Sequence, residues 1–507
     1  LRRHVGETLQ PRHVLGLEPV QVAEPLDEAL GHVLDGCAPL APASLPLDQV
    51  GGCVLAESVV AAEAVPPFAN SAMDGYAVRS VDVAGAEPGR PVRLRVVATV
   101  LAGQPAGVPL SEGEAVRLMT GAPVPPGADA VVMVERSTID GDHVLLDDPV
   151  ASGRNVRPAG DDIAASQQVL DAGTVLTAAH LGVLASVGVR GPLVVPRPSV
   201  GVLSTGDELV DAERELRPGE IRESNRPTLV AALRGFGIDA TDLGTVPDDA
   251  DRIRGAVVEA AGRFDAVVTS GGVSMGDVDL VKVVLGEIAD MRWMQVAIRP
   301  AKPFAFGVRD GTPIFGLPGN PVSSLVSLSV LALPGLRARA GRPDLHLPRV
   351  PARLTGPVDV HGDRTAFLRV SVRWDGTGFE ASPVGAQGSH QLAATAGANG
   401  LAVIDGGSTL GAGHEVTVLA PEPATSREVT PREDAYGGLR VVRLGFDPAR
   451  ATNPLREEYD NPVVARFLEG YWARERPDLL HVTYPGLIST APLAVAEGLG
   501  IPTVVTL

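Results

Sequence analysis

Phe264-Asp265-Ala266-Val267-Val268-Thr269-Ser270-Gly271-Gly272-Val273-Ser274-Met275-Gly276-Asp277 decides how this 507-residue chain is read. Phe264 to Thr269 is a short apolar run, the signature of a strand buried on both faces. The next residues are glycine, serine and acid, which make a turn and also let backbone N–H groups approach an anion. The same design occurs twice more: Leu203 runs into Ser204-Thr205-Gly206-Asp207-Glu208, and Phe315 runs into Gly316-Leu317-Pro318-Gly319-Asn320-Pro321. Between them the pattern alternates: a strand at Val200–Leu203, a helix at Arg226–Arg234, a strand at Ala240–Leu243 and a helix at Asp248–Ala261. Residues 198–335 therefore predict a doubly wound α/β domain with a parallel sheet, whose ligands bind beyond the carboxyl ends of the strands.

Outward from this domain the texture changes. Residues 25–64 read as a helix, a Pro-broken connection and a second helix near Asp48 to Glu57. From about 65 to 160, short β-rich runs (Arg93–Leu101, Ala115–Met119, Ala130–Val134) separated by Gly and Pro predict a small all-β unit. A short β segment and a helix, Thr177–Ser186, come next within 161–190. Residues 350–420 return to β-runs and turns; Pro421 to Asp434 reads as a linker; 438–507 alternates strand, helix and strand. No internal repeat is visible.

Composition bounds the function. A length of 507 residues exceeds what one core supports. Net charge is −18 with few aromatics and no basic run, which argues against nucleic acid or anionic membrane as partners. Only Cys37 and Cys53 occur, so no disulfide framework or Cys-based zinc site is available, and a reducing cytoplasm is expected. The most apolar stretch, Val322 to Leu333, is too short for a membrane span and carries four serines; a buried helix is expected. The N-terminus shows no signal-peptide layout, and both ends, Leu1 and Val504-Val505-Thr506-Leu507, are expected to be fragment boundaries.

The three Gly/Ser loops at one sheet edge point to a shared anion pocket. Asp207, Glu208, Asp277 and Asp279 crowd the same loops; carboxylates beside a phosphate cradle suit Mg²⁺, while Asp277 and Asp279 are equally placed to cap the helix after them. Lysine is nearly absent: Lys282 and Lys302 are the only two among 43 Lys and Arg residues. Both lie near the loop set, and Arg299 precedes Lys302 in the proline-stiffened Ile298-Arg299-Pro300-Ala301-Lys302-Pro303. Outside the domain, Pro66 to Arg79, Met119-Thr120-Gly121-Ala122-Pro123 and Gly160-Asp161-Asp162-Ile163 are rich in small, polar and rigid residues.

Together these segments resemble the MoeA-type molybdopterin molybdenumtransferases, which include the E domain of gephyrin. The resemblance is carried by Ser71-Ala72-Met73-Asp74-Gly75-Tyr76-Ala77-Val78, Met119 to Pro123, Ser204 to Leu209, Ser270 to Ser274, Lys302 to Gly307 and Leu317 to Pro321, in family order over about 20–420. It implies a homodimer of four-domain subunits: a discontinuous linker domain (20–68 and 161–197), a β domain (69–160), a molybdopterin-binding α/β domain (198–347) and a C-terminal β-barrel (348–420). It implies molybdate insertion into adenylylated molybdopterin with Mg²⁺ and release of AMP, the substrate coming from a molybdopterin adenylyltransferase. Asp207, Glu208, Asp248 and Asp279 are expected at the metal. Ser274, Arg299 and Lys302 are expected as oxyanion contacts and Lys282 as a phosphate contact. Ser204, Thr205, Gly206, Ser270, Gly271, Gly272, Pro318, Gly319, Asn320 and Pro321 are expected to line the substrate site. Asp74, Thr120 and Asp162 are expected to reach the cleft, from the partner subunit, and Arg364, Arg369 and Ser389 to complete its molybdate end. A molybdopterin-binding scaffold and a molybdopterin adenylyltransferase are the alternative functions. Residues 438–507 resemble the acceptor-side half of GT-B family 4 glycosyltransferases, through Pro477 to Val482 and Glu497 to Val505; no glycosyl transfer is expected of this segment alone.

Overall fold

A computed structural model describes residues 23–107, 109–210, 214–273, 280–375 and 378–420, with the backbone of four further strands between 430 and 506. The chain divides into two units, one of residues 1–38, 198–338 and 344–507 and the other of 39–197 and 339–343.

The first unit is built on a six-stranded sheet. Its strands are β1 (Ser199–Thr205), β2 (Asp239–Val246), β3 (Ala266–Ser270), β4 (Asp290–Gln295), β5 (Pro303–Arg309) and β6 (Thr312–Leu317), in the order β2-β1-β3-β6-β5-β4. Helices α1 (Asn225–Gly235), α2 (Ala250–Arg263), α3 (Leu280–Ile288) and α4 (Pro321–Arg339) cover it. The two faces arise from the period-2 alternation of a strand. Val200, Val202, Ala266 and Val268 pack with α1 and α4 through Leu229, Leu233, Val322 and Val326. Leu203 and Val267 point the other way, onto Ile253, Val257, Val281 and Leu285 of α2 and α3. The double winding is as the sequence predicts.

The sheet is not wholly parallel, however. β2, β1, β3, β6 and the edge strand β4 share one direction, whereas β5, between β6 and β4, runs antiparallel to both. The cause is local: Asp310 (φ 49°) and Gly311 (φ 84°) form the whole connection from β5 to β6. Two consecutive positive φ angles make the tight hairpin turn that an Asp-Gly pair favours.

Helix α4 is long and apolar enough to cross a membrane, yet 83% of that stretch is buried within the fold, making it a core helix. A π-helical stretch, Leu328–Ala332, precedes Pro334 and loosens the turn into which the proline ring would otherwise drive. The helix Leu26–Asp35 packs on this core too, through Ala29 and Val33.

A five-stranded barrel completes the described core of this unit. Thr365–Trp374 pairs with both Phe379–Pro383 and Gly400–Ile404, while Arg349–Leu354 and Glu415–Leu419 close the ring. Farther on, Thr430–Tyr436 pairs antiparallel with Leu439–Gly445, so a strand stands where the sequence predicts part of a linker. Leu480–Thr483 pairs parallel with Thr503–Thr506.

The second unit carries a six-stranded sheet ordered Ala130–Met133, Gly75–Val78, Glu114–Leu118, Val92–Val100, His143–Leu146, Thr138–Asp140. Segments on either side of it in sequence pair with each other: Val54–Leu55 and Ala43–Ser44 with Leu193–Val195, and Val59–Val60 with Gln168–Leu170. The helix expected near Asp48 to Glu57 is not formed. Gly51-Gly52 interrupts it, Gly52 takes φ 79°, and the chain turns into the strand Val54–Leu55.

Candidate functional site

The carboxyl ends of β1, β3 and β6 lie side by side. Ser204 is opposite Ser270, and Ser270 is opposite Leu317. Gly271 takes φ 97°, and a side chain there would meet the Thr205 carbonyl at 2.8 Å. Gly272 takes φ 69°, and a Cβ there would lie 2.2 Å from Val281. Both positions require glycine: Gly271 brings backbone close to backbone, and Gly272 lets the loop close on the Val281 side chain, at the strand ends where a ligand binds in such folds. Gly319 approaches Gly271, a Cβ on it falling 3.8 Å from the Gly271 Cα. Beneath these loops Ser204 and Thr269 are fully buried, and their hydroxyl oxygens have no partner among the described residues.

Asn225, at the start of α1, ties the loops together. Its Nδ2 donates to Ser270 Oγ (2.8 Å) and to the Gly319 carbonyl (2.7 Å). Nothing in the sequence singles it out; an Asn opening a helix before Arg-Pro reads as a cap.

Three acidic residues lie just past the ends of β1 and β2. The Asp248 N–H donates to Asp207 Oδ1 at 3.0 Å, and the Glu208 carboxylate folds back over Gly206, 2.5 Å from where a Cβ would be. All three side chains are exposed, a set of hard oxygen donors that fits Mg²⁺ with its waters. Ser274, Asp277 and Asp279 lie outside the described residues. Asp207 lies on the loop whose next strand, Leu209–Val210, pairs with Ile221–Arg222; there Arg214 donates to Glu220 and holds its carboxyl down at about 2.

The antiparallel strand brings the cations to the same end of the sheet. Because β5 runs opposite to β6, with Ala305 facing Gly316, its first residues stand beside the Leu317–Pro321 loop. The turn before β5 holds Arg299 and Lys302, both exposed, and is closed by Val296 N–H donating to the Lys302 carbonyl at 2.7 Å. Ala301 between them has φ 81°, a strained value for a non-glycine residue of the sort stored at working sites. Ile298–Arg299 pairs with Thr365–Ala366 of the barrel, and Arg364 Nη1 donates to the Ile298 carbonyl at 3.3 Å. Ser389 arrives from the barrel as well, its carbonyl accepting from Val322 N–H (3.1 Å) at the head of α4.

Arg369 takes a different place from the one expected. It is 2% exposed, and its guanidinium donates to the carbonyls of Gln391 (2.5 Å), Ala386 (2.6 Å) and Gly388 (3.3 Å) and to Thr395 Oγ1 (3.2 Å). These bonds shape the loop that carries Ser389; burial pulls its pKa below the usual arginine value. Lys282 also stands apart: its ammonium is 5.7 Å from the ring centroid of Trp293, on the edge strand β4.

In the second unit Asp74 and Thr120 are joined directly. Thr120 donates to Asp74 Oδ1 from its N–H (2.7 Å) and its hydroxyl (2.8 Å), and these bonds, backbone first, hold the carboxyl below its ordinary range. Asp162 lies on the strip 155–163 that runs against 65–72, its N–H donating to the Val65 carbonyl at 3.1 Å. One further cluster, Glu24, Glu28 and His32, brings ligand atoms within 4.8 Å of one another, but Arg292 already donates to Glu24 at 3.0 Å, which makes it an ion-pair network.

Known proteins match this chain over most of its length. Residues 24–188 match the model of the MoeA N-terminal region (domains I and II), 201–338 that of a probable molybdopterin binding domain, and 351–420 that of the MoeA C-terminal region (domain IV). A molybdopterin molybdenumtransferase 2 of Mycobacterium tuberculosis is 40% identical over 367 residues, 71% of this chain and 90% of that protein. The chain belongs to the molybdopterin molybdenumtransferase family. A Haemophilus influenzae member is 35% identical over 398 residues, 78% of this chain and 97% of that one. A molybdopterin biosynthesis MoeA protein from Pyrococcus horikoshii superposes with a TM-score of 0.67 at 32% identity, covering 80% of this chain and all of that one. Residues 409–507 match a glycosyl transferase 4-like domain. That match begins inside the MoeA-type barrel, since Thr409–Leu410 and Glu415–Leu419 are strands paired with barrel residues.

Proposed function

We propose that this chain transfers molybdenum from molybdate into the dithiolene of adenylylated molybdopterin, releasing AMP. The convergence of three Gly/Ser strand ends, a carboxylate group and the Arg299–Lys302 turn at one sheet edge carries this reading. A transferase of this kind must hold two anions, the phosphates of one substrate and the oxyanion of the other, without letting them repel. The loops at Ser204–Gly206, Ser270–Gly272 and Pro318–Pro321 supply N–H and hydroxyl donors for the phosphates. Arg299 and Lys302, with Arg364 next to them, give the positive ground on which molybdate sits. Asp74, Thr120 and Asp162 would reach the substrate cleft from the partner subunit of a homodimer. Asp207, Glu208 and Asp248 would hold Mg²⁺, and the ion, when bound, would stabilise charge on the phosphates as the adenylate linkage breaks. The remaining finer assignments are that the enzyme is a cytoplasmic homodimer and takes its substrate from a molybdopterin adenylyltransferase.

The test is reconstitution from purified components. With adenylylated molybdopterin, molybdate and Mg²⁺, the protein should release AMP and yield cofactor that activates a molybdenum apoenzyme, and Lys302→Ala should raise the molybdate needed. If Lys302→Ala matches the parent protein, the oxyanion assignment is wrong. If the parent instead forms adenylylated molybdopterin from ATP and molybdopterin, adenylyl transfer replaces insertion.

A further inference from the structure

We propose that Asn225 is a positioning residue for the phosphate-bearing substrate, setting the Ser270 hydroxyl and the Gly319–Asn320 peptide as an oriented pair of donors. The inference rests on the functional reading above and adds a residue to it.

The geometry is specific. One amide nitrogen, Asn225 Nδ2, donates to two acceptors on two different loops, Ser270 Oγ at 2.8 Å and Gly319 O at 2.7 Å. Those acceptors are 45 and 94 residues away in sequence. An NH₂ group has two hydrogens, so both donors are used. The Ser270 oxygen, receiving one of them, keeps its own O–H free to donate elsewhere, and a hydroxyl that accepts becomes a stronger donor. At the other loop, the peptide unit is planar and trans, so fixing the Gly319 carbonyl toward Asn225 fixes the Asn320 N–H in the opposite direction. Two groups that could rotate are thereby held as donors, which is what an anion requires.

Three further features support a role in the site over one in packing alone. Ser270 is 2% exposed and sits in register between Ser204 and Leu317, at the centre of the three strand ends. Gly271, next to the Ser270 acceptor, and Gly319, whose carbonyl is the other acceptor, approach each other with no side chain between them. Asn225 itself opens α1, an 11-residue helix, so the positive end of its dipole lies at the same point. The ion pair behind it, Arg226 Nη1 to Asp242 Oδ1 at 2.6 Å, anchors the helix start to β2.

The experiment compares Asn225→Ala and Asn225→Asp with the parent protein, reading KM for adenylylated molybdopterin and for molybdate separately, with direct binding of adenylylated molybdopterin and a urea unfolding curve alongside. Asn225→Ala removes both bonds. Asn225→Asp keeps the shape but offers oxygens where donors stood and places a negative charge beside the phosphates. We expect Asn225→Ala to weaken binding and raise KM for adenylylated molybdopterin about 10-fold, and Asn225→Asp about 100-fold, at near-parent molybdate KM and unfolding midpoint. Equal effects on both substrates, or losses that track a lowered unfolding midpoint, would overturn the proposal in favour of a packing role. Parent-like binding by both variants would overturn it outright. If the parent protein neither binds adenylylated molybdopterin nor forms cofactor, the functional reading fails instead, and the two failures are told apart.

Discussion

Arg369→Met separates two readings of one residue. The family resemblance puts Arg369 at the molybdate; the structure turns its guanidinium onto the 386–391 loop. Of its four side-chain bonds, those to Gln391 O (2.5 Å) and Ala386 O (2.6 Å) are short and charge-assisted, while those at 3.2 and 3.3 Å are weaker. A hydrogen bond to a charged group contributes roughly 1.5–3 kcal/mol, so the two short ones are worth about 3–6 kcal/mol. The cost of burying the guanidinium, the same effect that lowers its pKa, opposes this, and Met retains the packing of the aliphatic stem. The net loss should be about 3 kcal/mol, confined to the barrel. Trp374 reports on that barrel directly, its ring lying 5.1 Å from Phe379 on the paired strand. In a background with Trp293 and Trp472 changed to Phe, urea unfolding followed at Trp374 should shift down by about 1–2 M, given a slope near 2 kcal/mol/M. Loss of the loop should also disturb the Ser389 carbonyl on α4, so activity should fall in parallel with stability. An unchanged midpoint with a raised molybdate requirement would refute this and return Arg369 to the oxyanion.

Gly272→Ala should destabilise the α/β domain by about 2–5 kcal/mol, combining a left-handed φ of 69° with overlap 2.2 Å from Val281 Cβ; adding Val281→Ala should not rescue it in thermal or urea unfolding, because the clash is with Cβ itself. In the second unit, Thr120→Val should raise the Asp74 pKa part of the way back toward 3.8, read by NMR titration, since the hydroxyl bond goes and the backbone bond stays. A carboxyl held below its ordinary value stabilises the fold above 3.8 and loses that contribution as pH falls through the lowered pKa, so Thr120→Val should flatten the acid limb of stability. Asp207→Asn should raise the Mg²⁺ needed for half-maximal activity about 10-fold with molybdate KM unchanged; equal Mg²⁺ curves would remove Asp207 from the metal group.

Residues whose role is set by neighbours in sequence are legible; residues whose role is set by chain crossing are not. Val200, Val202 and Leu203 announce a strand buried on both faces because alternation along one strand decides which core each side chain joins. The Gly/Ser endings of β1 and β3 are legible for the same reason: their conformation is local, and the parallel sheet then places them in register. Asp310-Gly311 is equally local, and its turn signal outweighs the expectation of a wholly parallel sheet by reversing β5. That reversal matters, since it is what carries the Arg299–Lys302 turn to the strand ends. Asn225 and Arg369 are of the other kind. Each is defined by acceptors delivered from distant segments, and neither residue type nor spacing encodes those meetings. The lysines show both cases at once. Scarcity marks Lys282 and Lys302 alike, but a composition has no coordinates: Lys302 stands on the turn beside the loops, while Lys282 lies over Trp293 at the sheet edge. A phosphate contact from Lys282 would require leaving that ring, so Trp293→Leu should leave substrate binding unchanged if the pair is structural, and strengthen it if the ring holds the ammonium back.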